Sequence, residues 1–504
     1  MSPAVVMRGI TKTFPGVVAN DHVDFSAEKG EVHGLLGENG AGKTVLMSVL
    51  YGLYRPDEGE ILIDGKPVEI DSPSTAMHLG IGMVHQHFML VPSLTVAENI
   101  ILGAEPTWNG VLLDREKMLE DVGEFCMRYS LDVDLEAPIY NLSVGVQQRV
   151  EILKALYRGA DILILDEPTA VLTPQEVDDL FDAIWALKAE GKTVIFISHK
   201  LREVLSVCDR VTVLKRGRVV DTVETSETDL GRLAVMMVGR EVIYTFDKDS
   251  CDSEETVLRV EGLKAVDDRE LLALRGIDLE VCSSEVLGIA GVEGNGQTEL
   301  VETLMGLRRP TAGRIFLKGS DVTRASPLNR IRAGISHVPE DRHKRGIVPE
   351  FSVMENLILG SQRDPEFSRW GILDVSEANR YSKELIRDYS IDTPSADTLA
   401  VNLSGGNQQR LVVAREFNRK PTLVIAAQPT RGLDVGATEY VRRKLLDMRS
   451  RGSAVLLISA DFDEIWALSD RIAVIYEGRI VATRDPERTT EEELGLLMAG
   501  SRGD

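Results

Sequence analysis

The chain repeats itself, and the repeat fixes how many cores it must build. Lys43 in "GENGAGKT" matches Gln297 in "GVEGNGQT" at an offset of 254. Three later matches follow at an offset of 261. They are Leu142 of "LSVGVQQR" with Leu403 of "LSGGNQQR", Thr169 closing "LILDEPT" with Thr430 closing "VIAAQPT", and His199 with Ala460. Ordered matches at a nearly constant offset mean a tandem duplication. The extra residues of the second half enter between "GMVHQHFMLVPSLTVAENIILG" and "SHVPEDRHKRGIVPEFSVMENLILG". A chain of 504 residues with 43% hydrophobic residues has the length and the apolar material for more than one core. The boundary falls at "TFDKDSCDSEET", 245–256, which is acidic and poor in apolar residues. The expected layout is a first domain at 1–244, an acidic linker at 245–256 and a second domain at 257–504.

Each half reads as α/β. Short apolar runs end in turn or polar residues: "EVHGLLG", "DILILD" and "TVIFIS" in the first half, "EVLGIAG", "TLVIAA" and "AVLLIS" in the second. Helical patterns separate them. In "TPQEVDDLFDAIWALKAEG", Val177, Leu180, Phe181, Ile184 and Leu187 share one helical face, with Thr173 as N-cap, Pro174 at the first position and Glu176 closing a capping box. Alternating strands and helices predict a mainly parallel sheet in each half.

No run approaches the ~18–20 apolar residues of a membrane helix. The start, "MSPAVVMRGITKTF", lacks the design of a secretory signal, so a cytoplasmic protein is expected, with room to sit against a membrane protein. Cys126, Cys208, Cys251 and Cys282 form no CxxC pair and read as buried free thiols. A formal net charge of −23 argues against a general nucleic-acid binder.

The first half carries chemistry. In "GLLGENGAGKTVLMSVL" a strand runs into a glycine loop and a helix follows, which is the context of a phosphate-binding loop. The backbone N–H groups of Gly40, Ala41, Gly42, Lys43 and Thr44 can point at phosphate oxygens, aided by the helix dipole. Lys43 would reach the β- and γ-phosphates, and the Thr44 hydroxyl would serve Mg²⁺. An ordinary glycine turn is the bland alternative, which the full pattern after an apolar strand disfavours. Asp166 and Glu167 end the strand "ILIL". One can hold the metal shell while the other polarises the attacking water. His199 follows "TVIFIS"; a lone histidine there is more often a structural hydrogen-bonding residue, but its place after the glycine loop and the carboxylates favours a γ-phosphate contact. The triplet His85-Gln86-His87 has no Cys or acid at ligand spacing, which disfavours a metal site there.

In this order the motifs resemble the ATP-binding cassette family, and the resemblance covers essentially all of 1–504. It implies two tandem ATPase domains, each with a mainly parallel core, an antiparallel β region and a helical insert at roughly 87–155 in the first half. It implies that Phe14 stacks on adenine, that Gly37, Glu38, Asn39 and the loop to Thr44 bind ATP, and that Gln86 links Mg²⁺ to the membrane subunits. Asp166 would serve Mg²⁺ together with Thr44 and Gln86. Glu167 would be the general base and His199 the switch. Fused cassettes of this type look like the ATPase subunits of importers for simple sugars such as ribose or galactose, or for nucleosides. The wording of "VHQHFMLVPSLTVAENIILG" favours nucleosides. The implied partners are two transmembrane permease subunits and an extracytoplasmic solute-binding protein acting through them, with the chain at the cytoplasmic face of the membrane and no nucleic acid.

In that family each nucleotide lies between the phosphate loop of one cassette and the signature of the other. Site one would then combine Lys43, Thr44, Gln86, Asp166, Glu167 and His199 with Ser404, Gly405, Gly406, Asn407 and Asp434 of the second half. Site two would combine Gly291, Gly294, Asn295, Gly296, Gln297, Thr298, Glu340, Ala427, Gln428 and Ala460 with Ser143 and Gly145. There the lysine, both carboxylates and the histidine are absent, Val144 replaces a signature glycine, Thr173 replaces the aspartate, and the segment at Ala265 lacks an aromatic. The expectation is one hydrolytic and one degenerate site. The bland account is drift in a supporting half. A soluble tandem ATPase acting on ribosomes or DNA repair, and a non-enzymatic scaffold, are the competing functions.

Overall fold

The computed structural model describes residues 3–85, 88–108, 112–128, 133–169, 172, 174–239, 255–292, 294–498 and 500. It divides into two compact units, Met1–Val242 and Ile243–Asp504. The strand Thr256–Val266 includes the last residue of the expected linker, and its side chains alternate between buried and exposed from Leu258 to Glu261. Most of the linker lies outside the described residues.

In the first unit, a six-stranded sheet runs in the order Arg218–Glu224, Arg210–Lys215, Val32–Gly37, Thr193–Ser198, Ile162–Asp166, Ile81–Val84. The last five strands are parallel, and the edge strand Arg218–Glu224 is antiparallel to its neighbour. Val32–Gly37, Ile162–Asp166 and Thr193–Ser198 are buried at every residue. Their sequences are accordingly near-continuous apolar runs, with the buried polar residues His33, Thr193, Ser198 and Asp166 at or near their ends. A separate antiparallel sheet orders Val17–Glu28, Pro3–Phe14, Glu58–Ile63, Lys66–Val68. Met7, Ile10 and Phe25 of that sheet share a core with Leu46, Met47 and Leu50 of the helix Lys43–Leu50 and with Leu35, Ile164 and Ile195. Between the strands Ile81–Val84 and Ile162–Asp166 lie the helices Val96–Ile101, Arg115–Arg128 and Val144–Tyr157.

The second unit repeats this plan. Its parallel strands are Ile335–Val338, Leu423–Ala427, Ala454–Ile458, Val286–Ala290 and Arg471–Tyr476, with the antiparallel edge Arg479–Arg484. The helices Val353–Leu357, Val375–Asp388 and Gly405–Asn418 fill the corresponding insertion. The fold is α/β with two cassette-like sheet sets.

The sheet order places the chemistry. Ile197 pairs with Asp166 and Ser198 with Leu36. The C-terminal ends of three adjacent parallel strands therefore deliver the glycine loop, Asp166-Glu167 and His199 to one edge, where open α/β sheets bind ligands. On the helix Pro174–Ala189, Leu180, Phe181, Ile184 and Leu187 are buried on the predicted face. Thr173 lies outside the described residues. Cys126 and Cys208 are buried thiols, while Cys282 is only half-buried. No helix among the described residues is long and apolar enough to cross a membrane.

Candidate functional site

The loop from Gly37 to Lys43 is shaped by backbone that only glycine adopts freely. Gly40 and Gly42 have φ of 80° and 100°. A Cβ on Gly42 would stand 2.3 Å from the Ala19 carbonyl oxygen. The Ala41 N–H donates to the Glu38 carbonyl at 3.0 Å, closing the turn that carries Asn39. Lys43 starts the helix and is 5% exposed. Its Nζ donates to the carbonyls of Gly37 at 2.6 Å and Glu38 at 3.1 Å. Burial pushes its pKa down, while Glu167, Asp166 and Glu38 hold the charge in place.

Asp166 and Glu167 are adjacent acids with opposite shifts. Burial and then the neighbouring Glu167 charge push the Asp166 carboxyl up to about 6, against a hydrogen bond from Thr44 and the charge of Lys43. Burial also acts on Glu167, but the His199 hydrogen bond and the charges of His199, Lys43 and Lys200 hold it below the usual carboxylate range. His199 Nδ1 lies 3.0 Å from Glu167 Oε1. Glu167 has φ of 47°, and its N–H donates to the Ile197 carbonyl at 3.0 Å. A non-glycine residue in the left-handed region is a candidate for function. Lys43, Thr44, Asp166, Glu167 and His199 thus converge, with the imidazole turned to Glu167.

The buried Asp166 and the half-buried Glu167 face one ammonium, and the Thr44 hydroxyl bonds to Asp166. That donor set fits a hard divalent cation. Gln86, the third expected ligand, lies outside the described residues, as does His87. His85 packs edge-on to Tyr51, centroids 5.9 Å apart, and no group of three metal-ligating side chains occurs among the described residues. Phe14 ends its strand 36% exposed, edge-on to Tyr54 with centroids 5.3 Å apart.

The family model described as ABC transporter matches residues 20–170 and 274–431, one stretch in each unit. The chain belongs to the ABC transporter family. It is 50% identical over 99% of its length to the guanosine import ATP-binding protein NupO of Bacillus subtilis, 98% of which is covered. It is 48% identical over 98% of its length to the nucleoside import ATP-binding protein NupA of Lactococcus lactis, again covering 98% of that protein. It is 48% identical over 99% of its length to the glucose import ATP-binding protein TsgD13 of Haloferax volcanii, with 96% of that protein covered.

The second ABC cassette keeps the backbone of the first and loses its ionisable groups. Gly294 and Gly296 have φ of 94° and 106°. Gln297 Nε2 donates to the Val292 carbonyl at 2.9 Å, where Lys43 donates to Glu38. Gln428 has φ of 45°, and its N–H donates to Ile458 at 2.7 Å, as Glu167 does to Ile197. Ala460 N–H donates to Gln428 Oε1 at 3.2 Å, in place of the His199–Glu167 contact. Asn295 Oδ1 accepts from the Glu477 N–H at 2.9 Å. Gly291 is buried on the loop, Thr298 is exposed in the first turn of the helix Gln297–Met305, Ala427 is buried at the strand end, and Glu340 pairs with Arg431. Ala265 is fully buried, so no aromatic face is offered there.

Both signatures cap helices. Ser404 Oγ accepts from the Asn407 N–H at 3.4 Å and from its side-chain amide at 3.1 Å, opening Gly405–Asn418 with Gly406 in the first turn. Ser143 Oγ accepts from the Val146 N–H at 3.4 Å and donates to Glu176 Oε1 at 3.3 Å. Asp434 caps Val435–Ser450 through the Ala437 N–H at 2.7 Å. Two residues were not singled out as site residues from sequence. Glu176 reaches back onto the first signature, and Arg342 lies over Gly405 of the second. The legible signal for Arg342 was its place among the extra residues that break the repeat.

Proposed function

We propose that this chain is the energy-coupling ATPase of an ABC importer, with nucleosides as the favoured solute. The observation that carries the ATPase reading is the convergence of Lys43, Thr44, Asp166, Glu167 and His199 at one sheet edge, against the neutral set Gln297, Ala427, Gln428 and Ala460. The importer reading is supported by full-length relatives whose names specify import, and it leaves the ribosomal alternative without support. Guanosine and nucleoside importers favour a nucleoside over the sugar alternative. Two permease subunits would hold the chain at the cytoplasmic face of the membrane, and a solute-binding protein would act through them on the outer side.

Backbone amides of the glycine loop and Lys43 hold the phosphates of ATP. Glu167 is the base: its depressed pKa keeps it ionised at neutral pH, so it can take the proton of the water that attacks the γ-phosphorus. The bond from that phosphorus to the β–γ bridging oxygen breaks, and ADP and phosphate leave. His199 orients the Glu167 carboxylate. Thr44 and Asp166, with Gln86, would hold Mg²⁺, which supplies charge neutralisation on the phosphates. The first-cassette loop works with Ser404 to Asn407 and Asp434 of the second cassette. The other pairing is degenerate. Glu167→Gln tests the assignment. ATP binding should persist while turnover falls by ~10²–10⁴-fold, as for loss of a positioned base. Near-normal hydrolysis would remove Glu167 from that role.

A further inference from the structure

The second unit holds a cleft that the proposed reaction does not use. Its volume is about 650 Å³, and the helices Gln297–Met305 and Gly405–Asn418 and the strand Ile335–Val338 all contribute to its lining. Two buried carboxylates build its polar wall, and each bridges two guanidiniums. Glu302 accepts from Arg308 Nε at 2.7 Å and from Arg345. Glu416 accepts from Arg415 Nε at 2.7 Å and from Arg419 Nη1 at 3.3 Å. Glu302, Arg415 and Glu416 are only 7%, 6% and 5% exposed. A third acid, Asp268, is exposed and pairs with Arg308 at 2.7 Å. Met305, Leu307, Ile331 and Leu359 give the cleft an apolar wall.

A network that served stability alone would satisfy its own donors, because an unmet buried donor is costly. Here Arg415 Nη1 and His337 Nε2 are buried with no hydrogen-bond partner among the described residues. The charges do not balance either. Four guanidiniums line the cleft against the three carboxylates of Asp268, Glu302 and Glu416, and burial keeps the His337 imidazole neutral at pH 7. The excess is a single positive charge.

The first unit has the place without this chemistry. Ser48, Tyr54, Met83 and Ala155 stand where the second unit has Glu302, Arg308, His337 and Glu416. The matching hollow is about 170 Å³. Its two cations, Lys154 and Arg158, donate to the carbonyls of Met89 and Leu102.

We propose that the cleft of the second unit binds a small organic carboxylate, whose negative charge meets Arg415 and Arg345 and whose apolar body lies on Met305, Leu307, Ile331 and Leu359. One carboxylate cancels the charge excess and offers the paired acceptors that match a guanidinium fork. A phosphate dianion would overshoot that balance beside Glu302 and Glu416. An apolar wall with a few convergent polar groups is the usual make-up of a small-molecule site, and the volume is in the usual range.

The probe is 2-naphthoate, with 2-naphthalenemethanol as its neutral counterpart, each titrated into the full chain by calorimetry. Naphthoate should bind at a single site, and the alcohol at least about tenfold more weakly. Arg345→Gln and Arg415→Gln should each weaken naphthoate roughly tenfold to a hundredfold, as for loss of one charge-assisted hydrogen bond. Arg415→Gln strips a buried partner from Glu416 and can unfold the chain. Leu307→Trp, at an exposed lining residue, keeps every charge and fills the cleft, and it should also abolish binding. Saturating ATP should leave the naphthoate affinity unchanged, because no residue of either glycine loop lines the cleft. No saturable binding at millimolar naphthoate overturns the proposal, as does equal affinity for the alcohol. Binding that survives both Arg345→Gln and Leu307→Trp, or that ATP displaces, puts naphthoate elsewhere and overturns it too. These readouts need no hydrolysis, so an active Glu167→Gln would remove the ATPase assignment and leave the cleft untouched.

Discussion

Glu167 and Gln428 hold the same unusual backbone, φ 47° and 45°, and make the same N–H bond to the neighbouring strand. The conformation belongs to the strand end, whereas the carboxylate belongs to the chemistry. An amide in that place can orient a water but cannot take up its proton. Restoring the loop lysine alone therefore does not restore a reaction. Gln297→Lys should leave the ATP hydrolysed per turnover cycle unchanged, because Ala427, Gln428 and Ala460 remain. A doubling would contradict this account of the second cassette. The identities at these positions were legible in sequence through the repeat alone, since each residue could be read against its partner. The contact between His199 and Glu167 was not. The sequence offers a phosphate contact or a structural hydrogen bond for the histidine, and which acid its imidazole lies against, one strand away, is visible only in the fold.

At the scale of elements, the strand–loop–helix of Val32–Leu50 and the apolar strands were readable because burial on both faces leaves no polar alternation to confuse with a helix. What the elements bring from afar was not readable. Glu176 reads as a local capping residue, yet its carboxylate reaches the Ser143 signature 33 residues earlier. Gly42→Ala tests the loop. With φ of 100° and the Ala19 oxygen at 2.3 Å, the change should cost roughly 1–3 kcal/mol and abolish ATP binding, seen by calorimetry. His337, on the strand Ile335–Val338, gives a pH test. Burial pushes its imidazole down from 6.5 to about 4, with Glu416 raising it and Arg345 and Arg415 lowering it. Between those values the unfolded chain binds a proton that the folded chain does not, so stability is full above pH 6.5 and is lost as pH falls towards 4. The counterpart of His337 at the 254 offset is Met83. His337→Met should remove this part of the acid sensitivity, on the order of 2–3 kcal/mol. Melting curves at pH 7.5 and pH 4.5 check it. Equal losses in both proteins would clear His337.

At the scale of the whole molecule, the proposed pairing of each phosphate loop with the other half's signature would gather the losses onto one pairing. The first cassette carries Lys43, Asp166, Glu167 and His199 but has Val144 in its signature, with Glu176 against that helix. The second has Gln297, Ala427, Gln428 and Ala460 at the matching places but keeps Gly405 and Gly406 in its signature. Drift in a merely supporting half has no reason to spare that half's signature while the intact half's signature decays. Sorting of this kind is what selection on one shared site would leave. The consequence is a reversal of the ordinary expectation that damage to the intact half is worse. On that proposal Ser404→Arg would put a bulky side chain against the γ-phosphate, and it should nearly eliminate ATPase activity although it lies in the half that lacks the counterparts of Asp166 and Glu167. On the same proposal Ser143→Arg would disturb only the degenerate pairing and the Glu176 contact, and it should reduce the rate much less. Steady-state ATPase rates of the two variants with permease present read the order directly. If each cassette worked alone, Ser143→Arg would be the more damaging change, and the division of labour argued for Lys43, Glu167 and Ser404 would be wrong.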